Sequence, residues 1–143
     1  MMTAHDSQKL AEAVLRQHAA LNQQIDSLNE ILQQQFDWSQ LGDMMENLEE
    51  CLGRHFDLEE QGGYLSEVLE AAPRSQPQVD RLLKEHQLMI ETLRQARDLT
   101  SDGASRQELR TLLGGWLDLF HDHEARENRL ALNVFNTDLG GGD

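Results

Sequence analysis

Four stretches of this chain repeat apolar residues with the period of an α-helix, and each carries one histidine near the middle of its apolar stripe. The first is Leu10, Ala11, Val14, Leu15, His18, Leu21, Ile25, Leu28 and Ile31/Leu32. The second is Leu41, Met44, Leu48, Cys51/Leu52, His55, Leu58/Glu59, Gly62 and Leu65. The third is Val79, Leu82, Leu83, His86, Met89/Ile90 and Leu93, and the fourth is Leu109, Leu112, Leu113, Trp116, Leu119/Phe120, His123, Glu127 and Leu130. Residues three and four apart share one helix face, and an apolar face is the one a chain in water buries. The stripes therefore place imidazoles, and two carboxylates, on surfaces meant for a core.

The segments between the stripes read as breaks. Asp37 or Ser39 offers an N-cap in FDWSQ, both prolines lie in AAPRSQP with Ser75 as a cap, and TSDGAS combines a stop glycine with the capping-box pair Ser105 and Glu108. Four amphipathic helices joined by short connections predict an all-α, antiparallel up-down four-helix bundle. The expected extent is residues 1–136, followed by a disordered glycine-rich tail at 137–143. A chain of 143 residues suits one such core. Aromatics are only 5% of the chain and β-branched residues are sparse, which also favours helices.

The net charge of −14 repels phosphate backbones, so nucleic acid is not an expected partner. No apolar run reaches the roughly 20 residues of a membrane span, and MMTAHDSQKL lacks the apolar segment of a secretory leader. One cysteine leaves no internal disulfide. These features predict a soluble, cytoplasmic chain with no membrane partner. They leave its oligomeric state open, a monomer included.

Spacing singles out the polar residues in the stripes. His18 to His55 is 37 residues, as is His86 to His123, and each second histidine is followed at i+4 by a glutamate, Glu59 or Glu127. A shift of 68 residues superimposes His18 on His86, His55 on His123 and Glu59 on Glu127, while identity elsewhere is thin. In a bundle the four histidines meet at one level, with the carboxylates one turn, about 5.4 Å, along the axis. Two buried carboxylates are costly unless something compensates them. One or two divalent cations do so, leaving the carboxylates ionised and the imidazoles neutral. Mixed nitrogen and oxygen donors suit iron, manganese or zinc better than magnesium or calcium.

His18, His55-Phe-Asp-Leu-Glu59-Glu60, Glu85-His86 and His123-Glu-Ala-Arg-Glu127 together resemble the hemerythrin-like, or HHE cation-binding, domain, over about residues 5 to 136. That resemblance implies a non-haem di-iron site, with manganese or zinc less expected. It also implies His18, His55, His86 and His123 as terminal ligands, with Glu59 and Glu127 as bridges, often beside an oxo or hydroxo group. The chain departs from oxygen-carrying members, which have a fifth histidine on the third helix: the positions four from His86 are Leu82 and Ile90. Their fourth-helix carboxylate falls where this chain has Asn128. The set of four His and two Glu is similar to that of bacterial relatives active in iron-sulfur repair or reactive with peroxide and nitric oxide. A missing ligand leaves a position open or water-filled.

Neighbouring residues carry secondary expectations. Cys51, one turn before His55, is either a redox partner or a small core residue layered with Val14, Leu82 and Leu119. Gly62 and Gly63 lie in the second helical pattern, and they leave room for a cavity or permit a kink. Tyr64 is a hydrogen-bond or radical donor, or a core aromatic. Trp116 reads as a core plug capping the site. Glu60 reads as supporting the site or as surface, with direct metal contact less expected, and Asn22 as orienting a ligand near the carboxylate level. His121 and His5 are expected to face solvent, and Glu46, Glu49 and Glu50 to form a solvated face.

The leading expectation is a di-iron protein that binds or reacts with oxygen, peroxide or nitric oxide, either of the last two making it an enzyme. The alternatives are an iron or oxygen sensor, an iron store or an iron donor for cluster repair, all without turnover. No appended signalling or cysteine-bearing domain favours the sensor or repair roles. The bland alternative is a metal-free helical interaction module.

Overall fold

A computed structural model describes residues 3–135, apart from the side chains of Ala4 and Phe135. The predicted tail at 137–143 and the domain limit at 136 lie outside the described residues. Helix α1 spans Ala4–Leu32, α2 Trp38–Glu60, α3 Tyr64–Ala71, α4 Gln76–Leu99 and α5 Arg106–Phe135, with a 3-10 turn at Pro73–Ser75. Among the described residues there is no strand. The four long helices form an all-α bundle in which α1 packs on α2, α2 on α4, α4 on α5, and α5 back on α1.

Local chemistry sets the helix ends. Thr3 caps α1 in a reciprocal box with Asp6, and the Asp37 carboxylate accepts from the Ser39 N–H at 2.9 Å to begin α2. Before α5, the Ser105 hydroxyl accepts from the Glu108 N–H at 3.0 Å. Gly103, at φ 76°, takes the left-handed turn between α4 and α5. Ser75 stands at the N-cap of α4 but makes no capping bond through its side chain and is buried instead.

The second predicted stripe is not one helix. It runs unbroken to Glu60, stops at Gln61–Gly63, and resumes as α3. Gly63 sits at φ 91°, and a Cβ on Gly62 would run into the Leu58 backbone carbonyl. The two glycines thus serve a sharp break rather than a helical cavity. The break lets α3 turn in against α1, α2, α4 and α5. Tyr64, Leu65 and Val68 join Ala11, Val14, Val79, Leu82 and Ala131 in a small apolar cluster. A larger cluster fills the other end, where the Trp116 indole N–H donates to the Met89 carbonyl at 2.9 Å and its ring stacks on Phe120. No helix among the described residues is long and apolar enough to cross a membrane.

Candidate metal centre

All six polar residues of the stripes converge between the two apolar clusters. His18, His55, Glu59, His86, His123 and Glu127 are each 7% exposed or less, and Glu59 is wholly buried. Each histidine turns its Nε2 toward a carboxylate. Glu59 Oε1 lies 3.2 Å from His55 Nε2 and 3.4 Å from His86 Nε2. Glu127 lies 3.0 Å from His18 Nε2 and 3.5 Å from His123 Nε2. The donors fall into two groups whose atoms lie within 4.8 Å of one another: His18, His55, Glu59 and Glu127, and Glu59, His86, His123 and Glu127. Both carboxylates belong to both groups.

Without a cation this arrangement is electrostatically awkward. Burial and the charge of Glu127 push the Glu59 carboxyl well above the ordinary range, toward the neutral acid. Burial would raise Glu127 too, but the neighbouring Glu59 carboxyl and the His123 and His18 imidazoles hold it well below that range. One carboxylate of the pair thus keeps a proton and the other a charge. Burial, with the neighbouring His18, brings His55 down to about 3. Burial lowers His86 as well, against the opposing pull of Glu60. For His18 burial is outweighed by Glu127, and the net shift is upward. Both oxygens of Glu59 and Glu127, and Nε2 of His86 and His123, are buried without a hydrogen bond. Unpaired buried donors of this kind, facing one another, fit a cation set between them.

The other faces of the rings have partners on neighbouring helices. His55 Nδ1 lies 2.7 Å from Gln17 Oε1, His86 Nδ1 2.6 Å from Glu60 Oε2, and His123 Nδ1 2.8 Å from Glu85 Oε1. Donation from Nδ1 leaves the Nε2 lone pair for the centre. Glu85 is held in turn by Arg126 at 2.6 Å, and Arg126 and His123 keep it below the ordinary carboxylate range against the effect of burial. Phe56 stacks on His86, centroids 3.9 Å apart and 9° from parallel. Glu60 supports a ring, as one of its expected readings had it. Gln17, Arg126 and Phe56 were not singled out from sequence, and Glu85 was quoted beside His86 with no role given to it. A signal existed for two of them, since the 68-residue offset carries Gln17 onto Glu85.

Two expectations about level need correction. Cys51 and Leu119 pack against the larger cluster, whereas Val14 and Leu82 belong to the cluster at the other end. Antiparallel neighbours make i−4 point in opposite directions, so the four do not form one layer. For the same reason Asn22 lies away from Glu59 and Glu127, and its amide donates to the His18 backbone carbonyl at 2.8 Å and to the Glu124 carboxylate at 3.0 Å. The Cys51 thiol is half-buried and accepts from Gln24 at 3.1 Å and Arg54 at 3.3 Å. Tyr64 is buried in the α3 cluster, its phenol pushed up by burial and by the Glu127 and Glu59 carboxylates. His5 and His121 are exposed, as are Glu46 and Glu50, but Glu49 pairs with Arg94 and Arg97 across to α4.

Two donor groups joined by shared carboxylates, inside a bundle of four long helices, define a helical protein with a candidate cation site. The hemerythrin HHE cation binding domain family matches residues 9–134, and the chain belongs to that family. No curated protein and no solved structure matches it.

Proposed function

We propose that His18, His55, Glu59, His86, His123 and Glu127 hold two iron ions, and that the protein binds or reacts with a small oxidant: oxygen, peroxide or nitric oxide. The observation that carries this reading is the contact pattern of the carboxylates. Each touches one histidine of each group, Glu59 with His55 and His86, Glu127 with His18 and His123. A carboxylate placed between two imidazoles of different groups would serve both groups, were each to hold a cation. Four imidazoles and two carboxylates suit iron, with manganese and zinc as the nearest competitors. Six protein ligands leave coordination positions for a ligand from solution.

Iron held there supplies one-electron redox chemistry toward such ligands. The chain's own residues do the rest. Gln17, Glu60 and Glu85 fix three rings so that Nε2 faces inward. Phe56 on one side, and α3 with Tyr64 on the other, keep bulk water from donors that are nearly inaccessible. Only a small reactant suits so closed a centre. Tyr64 keeps its phenolic proton, held there by burial and by the charges of Glu127 and Glu59.

The test is anaerobic reconstitution of the metal-free chain with ferrous iron, metal analysis, and the visible spectrum before and after exposure to air, peroxide and nitric oxide. About two irons per chain, with ferric charge-transfer bands appearing on exposure, are expected. Bands that vanish on removing oxygen indicate carriage, and sustained peroxide or nitric oxide consumption indicates an enzyme. A folded chain that takes up no metal defeats the proposal.

A further inference from the structure

The offset that relates the six buried residues also relates what stands behind the histidines, and there the two halves differ in charge. It carries Gln17 onto Glu85 and Glu60 onto Asn128. Gln17 lies against His55 Nδ1 at 2.7 Å, as Glu85 does against His123 Nδ1 at 2.8 Å. Glu60 lies against His86 Nδ1 at 2.6 Å, and Asn128 acts on His18 from the corresponding helix, α5, while the His18 Nδ1 itself makes no hydrogen bond. His18 and His55, which share one donor group, therefore have amides at the corresponding positions, with the Glu124 carboxylate acting on His18 through its charge alone. His86 and His123, which share the other, have carboxylates.

This difference bears directly on cation affinity. A carboxylate that accepts from Nδ1 pulls the proton toward itself and makes Nε2 a stronger donor, and it also adds negative charge near the ion. An amide oxygen orients the ring but does neither to the same degree. Low dielectric around the buried rings enlarges the contrast. Glu59 and Glu127 are common to both groups and cannot produce it. Arg126 offsets part of the charge on Glu85 without removing its contact to His123.

Resting on the two-cation reading above, we propose that the two positions are unequal: the His86/His123 position takes a divalent cation first and more tightly, and the His18/His55 position is the weaker, exchangeable one. Gln17, Glu60, Glu85 and Asn128 are then positioning residues that set the order of filling.

The test uses the full chain, metal-free and without oxygen. Cobalt(II) is titrated against visible absorption, and zinc(II) against the imidazole resonances of the four histidines. Repulsion between two cations separates the steps at any such centre, so the residue assignment and the variants carry the decision. In the first step the His86 and His123 signals should move, and in the second those of His18 and His55. Glu60→Gln and Glu85→Gln should each weaken the first step about 10- to 100-fold and leave the second nearly unchanged. Gln17→Glu and Asn128→Glu should strengthen the second step and narrow the gap, a gain that misfolding cannot imitate. The ordering is overturned if His18 and His55 respond first, if the steps are equal, or if Gln17→Glu and Asn128→Glu leave the second step unchanged. A folded chain that takes neither ion overturns the two-cation reading itself.

Discussion

At the scale of the residue, Glu59 shows what the buried cluster costs without a cation. Its carboxyl is pushed well above 4.5, so the folded protein holds a proton that the unfolded chain releases. The stability tied to that proton is full below about pH 4.5 and is lost as pH rises toward the folded value. Glu59→Gln keeps the neutral form at nearly the same shape. The metal-free variant should therefore melt above metal-free wild type at pH 8, with the difference shrinking toward pH 4.5, while the melting shift on adding metal disappears. A variant that melts lower at pH 8 would sink this account. His55 acts in the other direction: with its pKa brought down to about 3, it removes stability as pH falls below 6.5. Phe56 is the residue-scale test of packing. Truncating a buried ring stacked on His86 should cost about 3–5 kcal/mol in chemical denaturation.

The element with most at stake is the junction of α2 and α3. Gly63 lies at φ 91°, so Gly63→Ala forces a Cβ into left-handed backbone at a cost of roughly 1–2 kcal/mol. Gly53 offers a control within α2, since a Cβ there meets nothing within 4 Å. Gly53→Ala should stabilise by about 1 kcal/mol through helix propensity. Opposite signs in urea denaturation, with faster metal loss to a chelator only for Gly63→Ala, would identify α3 as a cover over the carboxylate end. Equal chelator rates would reduce the break to a turn. The four long helices were legible from their period, and the starts of α2 and α5 from their caps, because those are properties of a few adjacent residues. The break was not, since Leu58, Gly62 and Leu65 keep nearly helical spacing across it. What ends α2 is the left-handed glycine, and what holds α3 inward is contact with four other helices.

For the whole molecule, a cation that binds only the folded state stabilises it by mass action. At free metal one hundred times its dissociation constant the gain is about 2.7 kcal/mol per site. Chelation should therefore lower the melting temperature, and re-addition of ferrous iron or zinc should restore it in a concentration-dependent way. A melting curve indifferent to metal would contradict the candidate centre. With a net charge of −14, the metal-free form should also gain stability from added salt, because screening relieves self-repulsion.

The sequence by itself determined that the chain is helical, which faces are buried, and that four histidines and two glutamates lie on those faces. Periodicity and the 68-residue offset are written along the chain, so no packing is needed to see them. Only the tertiary structure decided how the six are shared: Glu59 between His55 and His86, Glu127 between His18 and His123. It also decided that Gln17, Glu60 and Glu85 reach rings on other helices, and that Cys51 and Val14 lie at opposite ends. Those relations depend on the direction and rotation of each helix against its neighbours. Core packing sets both, and in antiparallel pairs it turns equal steps along the sequence into opposite steps in space.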